Sequence, residues 1–170
     1  MCSSDLLQDI EELSLQGFIG PEDIAMDYEG RIYAATLEGI VRMDYQGLNL
    51  ELWAETGGRP LGIDFDRQGN LIVADGYLGL LSISPNAKLS LLTNKADGVD
   101  IGFADDVDVA ADGMIYFSDA STKFSPRHYQ DVIKASELDV LEHGVHGRLL
   151  RYDQSTQKTD VLIKDLNFAN

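Results

Sequence analysis

Side chains able to do covalent or acid–base chemistry are unevenly placed in this chain. The densest acidic stretch runs from Asp97 to Asp112 and holds six aspartates, including the adjacent pair Asp105-Asp106. It lacks the D-x-[DN]-x-[DN]-G spacing of an EF-hand loop, so most of these carboxylates read as solvated. His143 and His146 lie near the end of an insertion between two strand runs, and imidazole is a side chain able to act as a general base. No G-x-S-x-G elbow, H-E-x-x-H pair, phosphate-binding G-x-x-x-x-G-K-[ST] string or C-x-x-C pair occurs, which leaves those chemistries without a carrier. The only cysteine is Cys2, so an intrachain disulfide is excluded and the fold must rest on its core. Arg59, Tyr77 and Trp53 read as packing residues.

The chain carries a formal charge of −16 with a pI near 4.3, which argues against a nucleic-acid partner and against an anionic membrane surface. That acidity fits a protein that holds a cation, and it equally fits a surface kept soluble by charge. Hydrophobic residues make up 44% and charged residues 25%, the balance of a globular domain rather than a disordered one. No apolar run reaches the length of a transmembrane segment, and the N-terminus lacks the basic-then-apolar order of a signal peptide. The compartment stays unknown from composition; a soluble domain of a bacterial cytoplasm or periplasm is consistent with it.

The elements that must position any site repeat along the chain. GPEDIAMDYEGRIYAAT, RPLGIDFDRQGNLIVAD and FADDVDVAADGMIYFSD share one pattern: an apolar pair, a glycine turn and an apolar strand ending in a small or acidic residue. Their turn glycines, Gly30, Gly69 and Gly113, are spaced 39 and 44 residues apart, the period of a propeller blade. Alternation of period two, as at Ile24 and Met26 or Ile63 and Phe65, marks strands with one face buried. Further strands are expected at Gly39 to Asp44, Leu50 to Ala54, Gly79 to Ser84, Leu89 to Thr93, Gly147 to Asp153 and Thr159 to Ile163, giving four per repeat. The spacing predicts a β-propeller over a β-sandwich or solenoid, because solenoid turns recur faster and a sandwich need not repeat its sequence. One domain over residues 1–170 is expected, with repeats at about 20–56, 57–95 and 102–166 and a fourth opening near 167. The stretch from Thr122 to His146 interrupts the third repeat with helical spacing at Tyr129, Val132, Ile133, Leu138 and Leu141. It reads either as a decoration or as a cap over one end of the channel.

Across Gly20 to Asn170 the chain resembles the strictosidine synthase-like branch of the SMP-30/gluconolactonase superfamily. The run GRPLGIDFDRQGNLIVADGYLGLLSI, then DDVDVAADGMIYFSDAS, then HGRLLRYDQSTQKTDVL carries the likeness to that branch's N-terminal half. The resemblance implies an all-β, six-bladed β-propeller of which this chain supplies about three blades. Closing it would require the missing C-terminal half or another chain. It also implies a Ca2+ ion, or another divalent cation, in the central channel. On that implication Glu22 and Asp105 are metal ligands, Asp105 standing where the family usually has Asn, and Asn170 is a third at the entrance of the fourth blade. Asp106 would orient Asp105 or a water from behind. Gluconolactonases place Arg where this chain has Phe103, which implies a less polar substrate than a sugar lactone. The cysteine pair that strictosidine synthase relatives carry near blade two is missing around Gly57-Gly58.

The expected function is calcium-dependent hydrolysis of a small lactone or ester. The alternatives are a strictosidine-synthase-type condensation without metal, and a non-catalytic propeller that binds a partner on one face.

Overall fold

The structure, a computed structural model, describes residues 12–170; Cys2 and the N-terminal residues weighed for a leader lie outside them. Three four-stranded antiparallel sheets follow one another along the chain. The first comprises β1 (Ile24–Met26), β2 (Ile32–Thr36), β3 (Gly39–Met43) and β4 (Glu51–Ala54). The second comprises β5 (Pro60–Phe65), β6 (Leu71–Asp75), β7 (Gly79–Ile83) and β8 (Leu89–Thr93). After a short hairpin of β9 (Lys95–Ala96) and β10 (Val99–Asp100), the third comprises β11 (Ala104–Val109), β12 (Met114–Asp119), β13 (Gly147–Asp153) and β14 (Lys158–Leu166). Each sheet is a plain meander, and the innermost strands pack in series, β1 on β5 and β5 on β11. These are three consecutive blades of a propeller, the architecture that the repeats predict. The β9–β10 hairpin was not expected; two residues per strand leave no periodicity to read.

The turns explain why the pattern repeats. Gly30, Gly69 and Gly113 adopt φ of 79°, 80° and 88°, a region cheap only without a Cβ, and their N–H groups donate to Asp27, Asp66 and Ala110 carbonyls at 3.0, 3.0 and 2.9 Å. In the first two blades an aspartate closes the same turn from below. Asp27 accepts from the Glu29 and Arg31 N–H groups, and Asp66 from those of Gln68 and Asn70.

The middle blade is buried on both faces, and β6 shows how. Leu71 and Val73 join Tyr33, Ile40 and Ile83 against the first blade, while Ile72 and Ala74 join Ile115, Phe117 and Leu150 against the third. Period-two alternation therefore fills two cores from one strand. The end blades differ. Ile24 and Met26 are exposed, and the far side of blade three holds an open depression of about 450 Å³ bounded by Tyr116, Leu149, Leu166 and Phe168.

Between β12 and β13 the chain forms α1 (Pro126–Tyr129) and α2 (Val132–Glu142). The Asp131 carboxylate accepts from the Ile133 and Lys134 N–H groups and so caps α2. The helix is pinned from within, since fully buried Asp139 accepts from the Ser121 hydroxyl at 2.5 Å. Ala135 of α2 packs on Leu61, Phe103 and Ala120, with Tyr129, Val132 and Phe168 around them. No helix among the described residues is long and apolar enough to cross a membrane.

Candidate functional site

Strand register fixes which residues share a level at the inner ends of the blades. Ile24 lies opposite Ala34, Ile63 opposite Val73 and Val107 opposite Phe117. Counting back two residues from each places Glu22, Leu61 and Asp105 at one level. All three blades widen there by an extra residue. Leu61-Gly62 stand between the Pro60–Asp75 and Ile63–Val73 pairs, and Asp105-Asp106 between Ala104–Asp119 and Val107–Phe117. In the first blade Glu22 N–H donates to the Ala35 carbonyl and Ala35 N–H donates to that of Asp23. Such bulges re-aim a side chain, and here they do so at every inner strand.

Buried aspartates at the ends of the second strands hold the segments that lead into this level. Asp119 accepts from the Gly102 and Phe103 N–H groups at 3.0 and 2.8 Å and pairs with the Arg148 guanidinium at 2.6 Å. Asp75 accepts from the Arg59, Tyr77 and Leu78 N–H groups at 3.1, 2.9 and 3.0 Å. The Arg59 side chain, only 4% exposed, turns back toward the first blade. It donates to the Gly20 carbonyl at 2.9 Å, the Pro60 carbonyl at 3.1 Å and Glu22 Oε1 at 3.0 Å. The expectation of a packing residue thus missed the ion pair, which joins positions 37 apart in sequence.

Glu22 and Asp105 are brought close enough to feel each other. Of the aspartates between Asp97 and Asp112, Asp105 alone is withdrawn from solvent, and Asp97, Asp100, Asp106, Asp108 and Asp112 are exposed. Burial first, then the charges of Glu22 and Asp106, push the Asp105 carboxyl up to about 7. Asp106 itself turns aside. Its N–H donates to Ser118 Oγ and its Oδ1 accepts from Val107 N–H at 2.9 Å. Asn170 is exposed and lines the open depression of blade three together with Asp106; its approach to Glu22 or Asp105 is not seen. His143 caps the C-terminus of α2 through its N–H, and the His146 ring meets that of Phe124 edge to face at 6.1 Å. Neither touches the carboxylate pair.

The arrangement offers two carboxylates at one level of the inner strands, within electrostatic reach of each other, with the Asp105 carboxyl raised to about 7. Among the described residues no three His, Cys, Asp or Glu side chains gather to hold a metal ion. The helices rest on Leu61 and Phe103, the first at the level of the pair and the second two residues before Asp105, so the insertion covers the inner strand starts of blades two and three.

Comparison with known proteins agrees with the resemblance. The family profile described as strictosidine synthase matches residues 105–170, and the profile of the strictosidine synthase-like N-terminal region matches residues 3–43. Protein STRICTOSIDINE SYNTHASE-LIKE 4 of Arabidopsis thaliana is 45% identical over 88% of this chain and 40% of its own length. The adipocyte plasma membrane-associated protein of Danio rerio is 32% identical over 96% of this chain and 42% of its own. Among solved structures, a gluconolactonase of Xanthomonas campestris superposes with a TM-score of 0.66 at 16% identity, covering 84% of this chain and 47% of that one, a likeness of fold alone. The chain spans about two-fifths of the curated relatives it matches, and it belongs to the strictosidine synthase-like family.

Proposed function

We propose that this chain contributes the first half of a calcium-dependent hydrolase acting on a small lactone or ester, with Glu22, Asp105 and Asn170 as cation ligands. The observation that carries the reading is the pairing of Glu22 and Asp105. They open equivalent strands, and the charge of Glu22 helps, after burial, to raise the Asp105 carboxyl, while Arg59 pairs with Glu22 Oε1. Two carboxylates and an amide are hard oxygen donors suited to Ca2+, and a cation there would relieve the repulsion. The set fits the ion. It also needs further donors, and among the described residues no third His, Cys, Asp or Glu joins the pair. When bound, such an ion supplies Lewis acidity toward a carbonyl oxygen and makes a water more acidic.

The protein's own groups have separate tasks. Arg59 holds Glu22 Oε1 and thereby orients the carboxylate, whose second oxygen remains for a ligand. Asp105 stands at about 7 only without an ion; as the ligand of a bound cation it would be held ionised. Asp106 adds charge from the flank rather than a hydrogen bond to Asp105. Buried Phe103 offers no partner to a substrate hydroxyl, which favours a less polar ester or lactone.

One observation favours a second reading, metal-free condensation of the kind that the relatives' name suggests: Asp105 is already a usable acid near neutrality without any cation. Calorimetry with CaCl2, run beside a panel of lactones and esters on the full-length protein, separates the two. Glu22→Gln should weaken Ca2+ binding by about tenfold or more and lower hydrolysis with it. Glu29→Gln, an exposed outer-turn carboxylate 3.1 Å from Arg31, should change neither. Equal Ca2+ affinity in both variants and the parent would remove the metal reading, hydrolysis that survives a chelator would show a metal-free hydrolase, no hydrolysis but chelator-insensitive joining of two added substrates would favour condensation, and binding without turnover would leave a partner-binding propeller.

A further inference from the structure

We propose that Asp106 Oδ2 is the acceptor half of an interblade clip, and that its donor is a backbone N–H of a fourth blade formed by the chain that follows Asn170 in the full-length protein. The two interfaces already built show the device. At the first, Asp23 Oδ1 accepts from its own strand, Ile24 N–H at 2.7 Å, and Oδ2 reaches across to Ile63 N–H of the next blade at 2.8 Å. At the second, Asp64 Oδ1 accepts from Phe65 N–H at 2.7 Å and Oδ2 from Val109 N–H of the third blade at 2.8 Å. One oxygen fixes the rotamer and the other joins the neighbour.

Asp106 repeats the first half of this arrangement. It occupies the level of Asp23, one residue after the Glu22 and Asp105 level, and its Oδ1 accepts from Val107 N–H at 2.9 Å. Its Oδ2 has no partner among the described residues, and Asp106 lines the open depression of blade three. Asp108 lines the same depression but lacks the fixing bond, because the Val109 N–H that would provide it is already given to Asp64.

The occupant follows from the donor that is required. Residues 167–170 already turn along this face, with the Phe168 ring 5.8 Å from that of Phe103. If Phe168 and Ala169 take the places of Phe103 and Ala104, Asn170 falls at the level of Asp105. By analogy with Asp23 and Ile63, the donor is then the second residue after Asn170. A second copy of this chain is a poor occupant. Its β1 would bring Ile24 N–H to that level, and this group is spent on its own Asp23. The assignment stands whether or not the site beside it holds a cation.

Amide hydrogen exchange of the full-length protein tests it at one residue. In Asp106→Ala the N–H two residues after Asn170 should exchange about tenfold faster or more, as a charge-assisted hydrogen bond is lost, while Ile63 and Val109 N–H keep their protection. Asp108→Ala should leave the reporter protected. If Asp106→Ala does not fold, Asp106→Asn, which keeps an acceptor oxygen and loses the charge, should give a smaller acceleration at the same N–H. Unchanged exchange at that residue in either Asp106 variant overturns the proposal, as does transfer of the effect to Asp108→Ala. A concentration-dependent dimer closed through this face would overturn the choice of occupant.

Discussion

Replacing Asp105 by Asn should stabilise the protein at alkaline pH and do little at acidic pH, the reverse of what removal of a structural carboxylate does. The folded protein raises this carboxyl to about 7 from an ordinary 3.8. Folded chains therefore keep a proton that unfolded chains release between these values. Since stability falls with rising pH wherever the folded state binds more protons, Asp105 lowers stability progressively from about pH 4 to above 7. At about 1.4 kcal/mol per tenfold change in acidity, the ceiling is about 4 kcal/mol, and partial exposure brings it to about 1–3 kcal/mol. Urea denaturation of parent and Asp105→Asn at pH 4.5 and 8.5, in chelator, reads this directly. The two should differ little at the lower pH, with the variant ahead at the higher. Addition of Ca2+ should narrow the gap at pH 8.5 by raising the parent more than the variant, whose amide keeps an oxygen donor but not the charge. Parallel profiles, or a variant less stable at pH 8.5, would refute the electrostatic account of the pair.

Two further outcomes follow from contacts outside the pair. Ser121→Ala leaves the buried Asp139 carboxylate without its recorded partner and should cost about 2–3 kcal/mol, with proteolysis appearing first between residues 122 and 146. Gly62→Ala would set a Cβ 2.7 Å from Asp106 Cα and 2.8 Å from Val107 N, so it should force β5 and β11 apart and lower thermal stability by an amount equivalent to about 3 kcal/mol.

Local patterns made the blades legible. A glycine turn, an apolar pair before it and a strand after it are adjacent in sequence, and each declares itself by period or by φ. The alignment of Pro21-Glu22-Asp23-Ile24 with Ala104-Asp105-Asp106-Val107 also made the common level of Glu22 and Asp105 readable. What stayed hidden is reach between blades. Nothing in the sequence near Arg59 says that its guanidinium turns back to Glu22, nor that Asp23 and Asp64 hold the N–H groups of Ile63 and Val109. These partners are set by how neighbouring sheets stack, and a strand's own periodicity carries no record of it. The same holds for Asn170, whose proposed ligand role depends on the packing of a neighbouring blade.

Leu61 occupies in the middle blade the level that Glu22 and Asp105 occupy on either side, and it is 5% exposed beneath the helices. Three identical blades would have presented the same group at equal angles, and a small molecule on the axis could rotate without noticing. Here it would meet a carboxylate, then a position whose side chain has withdrawn beneath α2, then a carboxylate, in a fixed rotational order. The rim therefore has a hand. Were the proposed site to seat a prochiral carbonyl, its two faces would meet different surroundings, charge toward one flank and none toward the other.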